Sequence, residues 1–138
     1  MKNSVITENG LKTTLSANAI FSSASGIIMT LSASSLARYM GIINASQLLI
    51  VGINLLVFAG FLVWLVKRPS LPKALVWSVI VGDLLWVLLS GAGLAMVPHQ
   101  LSRAGESLIM LVATIVAGFA MAQIFFLTRC PAPTPSQQ

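Results

Sequence analysis

Asp83 constrains this chain more than any other residue. It is the one charge in residues 74–97, a stretch long enough to cross a bilayer, and it lies about ten residues from either end. A carboxyl group near the centre of a membrane costs about 2.5–3.5 kcal/mol on insertion scales. A fold that keeps it there must turn it into a helix bundle and give it a partner, or line a proton or ion path with it.

The neighbouring sequence supplies the rest of such a bundle. Residues 47–66 and 107–128 carry no charge at all. A crossing helix needs about 20 mainly apolar residues. The whole chain of 138 residues is 57% apolar and 8% charged, against about 25% charged in a soluble domain. The expectation is therefore an all-α, four-helix transmembrane bundle. Its spans are expected over about 13–36, 46–66, 74–97 and 105–128, within a membrane domain covering 13–129. Residues 1–12 read as a polar cytoplasmic tail, and 130–138, with Pro131, Pro133 and Pro135, as a proline-rich tail. Pro69 after Lys67-Arg68 stops the second helix, and Pro72 suits the first turn of the third.

Lysine and arginine in the short loops set the orientation. Four spans place Lys2, Lys12, Lys67, Arg68, Lys73 and Arg129 on one side and Arg38 and Arg103 on the other. Six against two puts both termini in the cytoplasm. A competing reading makes the first span a cleaved signal peptide, with small residues near Ser32-Ala33-Ser34 at the cleavage site. Against it, the leading segment is long and contains Glu8, and Ser22, Ser23 and Ser25 interrupt the apolar core.

Helical phasing at 100° per residue gives each span one polar or small-residue stripe. The first aligns Asn18, Ser22, Ser25, Met29 and Ser32, opposite an aliphatic face of Ile20, Ala24, Ile27 and Leu31. The second aligns Gln47, Asn54, Phe58, Phe61 and Leu65, with Gly52 and Ala59 on a separate face. The third aligns Asp83, Val87 and Ser90, and the fourth Gly105, Val112, Val116, Phe119 and Gln123. Counting depth from the span ends at 1.5 Å per residue pairs Asp83 with Asn54 near the midplane and Asn18 with Gln123 nearer the cytoplasm. Ser90, two turns beyond Asp83, extends the seam. Trp86, Phe58 and Phe61 are the expected walls of any pocket beside it.

Other chemistry is poorly provided for. The lone Cys130 allows no internal disulfide, and the lone His99 has no second ligand at metal or haem spacing. Glu106 opens the fourth helix, where a carboxylate complements the helix dipole. No Ser-His-Asp set, carboxylate pair or phosphate loop can be assembled, so neither catalysis, a cofactor nor a metal is expected. The net charge of +5 sits at span ends, where it anchors helices at the headgroups, and forms no stripe for nucleic acid.

The chain resembles a family of small, uncharacterised bacterial four-helix integral membrane proteins. The resemblance rests on Leu15-Ser16-Ala17-Asn18-Ala19-Ile20-Phe21-Ser22 with Ser25-Gly26, on Gly52 with Phe58-Ala59, on Asp83-Leu84-Leu85-Trp86-Val87 with Ser90, and on Gly105 and Gln123. It implies a multi-pass protein of the bacterial inner (cytoplasmic) membrane and confers no activity. The expected function is structural or accessory, with the lipid bilayer and a membrane-protein partner or a second copy as its contacts. The alternative is a small proton-coupled transporter or channel centred on Asp83.

Overall fold

A computed structural model describes residues 2–42, 44–96 and 100–129, with the side chains of 2–4 and 6 left out. Five helices follow in order: α1 (Lys2–Leu31), α2 (Ala33–Met40), α3 (Ala45–Val66), α4 (Lys73–Met96) and α5 (Arg103–Arg129). Four of them are long and apolar enough to cross a membrane: α1 from Thr7, α3, α4 and α5. The chain is an all-α bundle of four long helices with α2 as a short fifth element.

Two boundaries differ from the sequence expectation. The segment expected as an N-terminal tail is helical from Lys2, continuous with the first span. A Glu8–Lys12 ion pair at 3.6 Å, one turn apart, supports this polar extension. At its other end the first span does not run through to Leu36. Ser32 leaves helical geometry, with φ −114° and ψ 19°, and α2 starts afresh at Ala33. The serine-rich run at 32–35 has low helix propensity, and its hydroxyls compete for backbone groups. The proline-rich tail at 130–138, Cys130 and His99 lie outside the described residues.

Gly41 ends α2 in the left-handed region, φ 77°, and its N–H reaches the carbonyls of Ala37 and Arg38. A glycine takes that conformation without Cβ strain. The turn places the Met40 carbonyl on the N–H of Ser102, at 2.8 Å. The Ser102 hydroxyl then donates to the Tyr39 carbonyl at 2.7 Å and accepts from the N–H of Gly105 at 3.0 Å. One serine thus caps α5 and ties it to the end of α2. Glu106 stands in the first turn of α5, the favourable end of the helix dipole for a carboxylate.

Close backbone packing joins α1 to α3, α4 to α5, and α1 to α5. The α1–α3 contact depends on two glycines. A Cβ on Gly26 would stand 2.9 Å from the Gly52 carbonyl oxygen, and one on Gly52 would stand 2.6 Å from Thr30 Oγ1. Small residues let membrane helices approach this closely, which replaces the hydrophobic driving force that lipid removes.

The inward face of α3 therefore differs from the polar stripe. Leu48, Gly52, Ala59, Leu62 and Leu65 are its buried residues, whereas Gln47 and Asn54 are exposed. On α1 the aliphatic face points outward, with Ile20 and Leu31 strongly exposed, and Asn18 and Ser22 point inward.

The main core, including Leu15 of α1, Leu62 and Leu65 of α3, Val76 and Ile80 of α4 and Leu127 of α5, fills one end of the bundle. There side chains of α3 and α4, from either side of their connecting loop, belong to one cluster. Beyond Phe58, whose ring lies 3.5 Å from where a Cβ of Gly82 would be, cavities lie between the two helices. A smaller cluster of Ala37, Met40 and Leu48 closes the far end.

Candidate functional site

Asp83 lies in the middle third of α4, on the same stripe as Val76, and is buried with them. Its Oδ2 accepts two hydrogen bonds from two other helices. Asn18 Nδ2 of α1 donates at 2.7 Å, and Gln123 Nε2 of α5 donates at 3.3 Å. Asn18 is itself held: its Oδ1 accepts from the Ser22 hydroxyl one turn on, at 3.2 Å. Asp83, Asn18, Ser22 and Gln123 are the buried polar residues of the bundle among the described residues, and all four belong to this network.

The arrangement corrects the sequence-based pairing. Asn18 and Gln123 do share a partner, but that partner is Asp83. Asn54 does not bond Asp83. It is exposed and donates its amide to the Ile50 carbonyl of its own helix, at 2.9 Å. The physical reason is twofold. The depth count assumed helices that start at one level, whereas α1 begins at Lys2, so Asn18 lies about 24 Å along it at 1.5 Å per residue. The glycine face of α3 packs on α1, which leaves Asn54 on the wall of the cavity beside Asp83, with its amide on Ile50 rather than on the carboxyl group.

Asp83 lines a cavity of about 170 Å³. Phe21, Ser22 and Ser25 of α1, Asn54 and Phe58 of α3, and Gly82 and Trp86 of α4 form most of its wall. The second carboxyl oxygen, Oδ1, accepts neither of the bonds from Asn18 and Gln123. Beside it lies a larger cavity of about 540 Å³, with Trp86 and Val112 common to both walls. Aliphatic side chains dominate its lining, joined by Met29 and Met40, with Asn44, Gln47, Ser90 and Gln100 as polar points.

The expected pocket residues therefore separate. Trp86 and Phe58 are cavity walls, whereas Phe61 stacks on Trp64 at 5.7 Å between centroids and packs against the main core. Ser90 faces the larger cavity and takes no part in the hydrogen bonds around Asp83. Sequence reasoning missed Phe21, Gly82 and the Ser22 hydroxyl as parts of the site. The i, i+4 spacing of Asn18 and Ser22 was the available signal for the last. Three buried polar atoms have no partner among the described residues: Gln123 Oε1, Trp86 Nε1 and Thr30 Oγ1.

Aromatic residues mark one end of the bundle. The Arg68 guanidinium lies 4.1 Å from the Trp64 ring, and that of Arg129 lies 4.0 Å from the Phe125 ring. Trp64 and Trp77 are half exposed, as interfacial anchors are.

Four apolar spans around an inward carboxyl group define a multi-pass helical membrane protein. No family model matches the chain, and neither a curated protein nor a solved structure matches it.

Proposed function

We propose that this is a structural or accessory protein of the bacterial inner membrane, without catalysis, with both termini in the cytoplasm. Asp83 serves it as a clasp. The supporting observation is the convergence of two carboxamide donors, from α1 and α5, on one oxygen of a carboxyl group on α4. Such a bond set specifies which helices are neighbours and in what register, because a one-residue slip turns each partner by 100°. Polar bonds of this kind hold membrane helices together with about 0.6 kcal/mol each on average. The net charge bias toward Lys2, Lys12, Lys67, Arg68, Lys73 and Arg129 supports the orientation. Asn18 bonds Asp83 from α1, and α1 packs on α3 and α5, which supports α1 as a retained span.

One observation favours a second reading, a small proton-coupled transporter or channel. Asp83 lines a cavity that also bears Ser22, Ser25 and Asn54. Reconstitution in vesicles separates the two. The accessory reading expects no proton flux above that of empty vesicles, and a stoichiometric membrane partner on purification in mild detergent. Flux in the parent that disappears in Asp83→Asn, with the fold intact, would replace it with the transporter.

A further inference from the structure

The wall around Asp83 has a composition that a hydrogen-bonded clasp does not require. Three aromatic side chains, Phe21 of α1, Phe58 of α3 and Trp86 of α4, surround the same cavity as the carboxyl group. Phe21 is braced by Phe119 of α5, with ring centroids 5.8 Å apart. A Cβ at Gly82, next to Asp83, would stand 3.5 Å from the Phe58 ring, so this ring borders α4 beside the carboxyl group. The two amides occupy Oδ2 and leave Oδ1 without either bond, on a residue that lines the cavity.

We propose that this cavity is a binding site for a lipophilic ammonium compound, whose cationic head lies between Asp83 and the rings of Phe21, Phe58 and Trp86 and whose apolar body extends into the adjoining larger cavity. Each part of the site matches a part of such a ligand. A cation is attracted to the faces of aromatic rings, and more so when desolvated. A charge inside a membrane needs an opposite charge beside it, and Asp83 is the one acidic residue within residues 74–97. The smaller cavity, about 170 Å³, suits a methylated ammonium head, and the adjoining 540 Å³ is in the usual range for small-molecule sites. Its aliphatic and methionine lining suits an alkyl or aryl body, because flexible methionines adapt to different shapes. Trp86 and Val112 bound both spaces, so head and body can be held at once. The site does not depend on the accessory role, and a ligand could bind whether or not a protein partner does.

The test uses the full chain in lipid nanodiscs, with decyltrimethylammonium as the cationic probe and its uncharged carbon isostere, which bears a tert-butyl head, as the control. Binding is followed by Trp86 fluorescence in a Trp64→Phe, Trp77→Phe background and by calorimetry. The account expects saturable binding of the cation, at least tenfold tighter than the isostere. It expects Asp83→Asn, which retains an oxygen acceptor for Asn18 and Gln123, to lose at least tenfold in cation affinity and little for the isostere. Phe58→Leu keeps the wall apolar and leaves Asp83 untouched. It should narrow the preference for cation over isostere severalfold, which keeps the proposal testable if Asp83→Asn does not fold. Equal affinity for cation and isostere would overturn the proposal and assign the cavity to uncharged amphiphiles. Uptake of the cation no different from empty nanodiscs would overturn it as well, whatever the result of the partner purification.

Discussion

Asn18 and Asp83 are 65 residues apart in sequence and 2.7 Å apart in the bundle, amide nitrogen to carboxyl oxygen. The bond joins the first long helix to the third across the interior. Gln123 reaches the same oxygen from the fourth long helix, so three spans meet at one atom.

Asn18 and Asn54 should respond very differently to replacement. Asn54 is exposed and satisfied by Ile50 of its own helix, so Asn54→Leu should change stability by no more than about 0.5 kcal/mol. Asn18→Leu removes the donor to Asp83 and the acceptor for Ser22, and should cost about 1–2 kcal/mol. Reversible unfolding in mixed micelles compares the two. Equal costs would mean that α3 is rotated from its place here.

The α1–α3 contact should be intolerant of a single methyl group at its glycines. Gly52→Ala places a carbon against Thr30 Oγ1 and the Gly26 carbonyl, and overpacking of that kind costs about 1–3 kcal/mol. Gly60 lies on the same helix with nothing within 4 Å of its would-be Cβ. Gly60→Ala should be neutral or should stabilise by up to about 1 kcal/mol through helix propensity. The same unfolding assay reads both, and a reversed order would contradict the packing.

Ser102 joins α2 to α5 through its hydroxyl. Ser102→Ala should cost about 1 kcal/mol and should speed amide hydrogen exchange in the first turn of α5 while leaving its centre protected. Unchanged exchange at Gly105 would show that the cap contributes nothing.

Orientation has its own test. A reporter active only outside the cytoplasm should be silent when fused after Gln138 and active when inserted at Gln100. Activity at Gln138 would reverse the placement of the termini or change the number of spans, and would revive the cleaved first segment.

The four spans and the inward position of Asp83 were legible in the sequence because long uncharged runs and an isolated carboxylate are strong, local signals. The partners of Asp83 were less so. Asn18 and Gln123 stood out as polar residues on the right faces, yet their depth followed from where helices begin, and the first turns of α1, from Lys2, carry no apolar signature. The orientation of α3 was misread for another reason. Asn54 looked like the residue that had to be buried, but an asparagine can satisfy its amide on its own helix. Gly52 and Ala59, which have no polar signal, decide the interface because they permit the closest approach. The break at Ser32 follows from serine-rich sequence but needed the packing of Ala37 and Met40 to become visible.

The clasp itself is tested most directly by two double-mutant cycles on unfolding free energy, one for Asn18 with Asp83 and one for Asn54 with Asp83. Alanine at each position, singly and together, isolates the pair term. The account predicts a coupling of about 0.6–1.7 kcal/mol for Asn18 with Asp83, the range of buried polar pairs in membrane proteins, and none for Asn54 with Asp83. Zero coupling in the first cycle with every variant folded, or a larger coupling in the second, would contradict it.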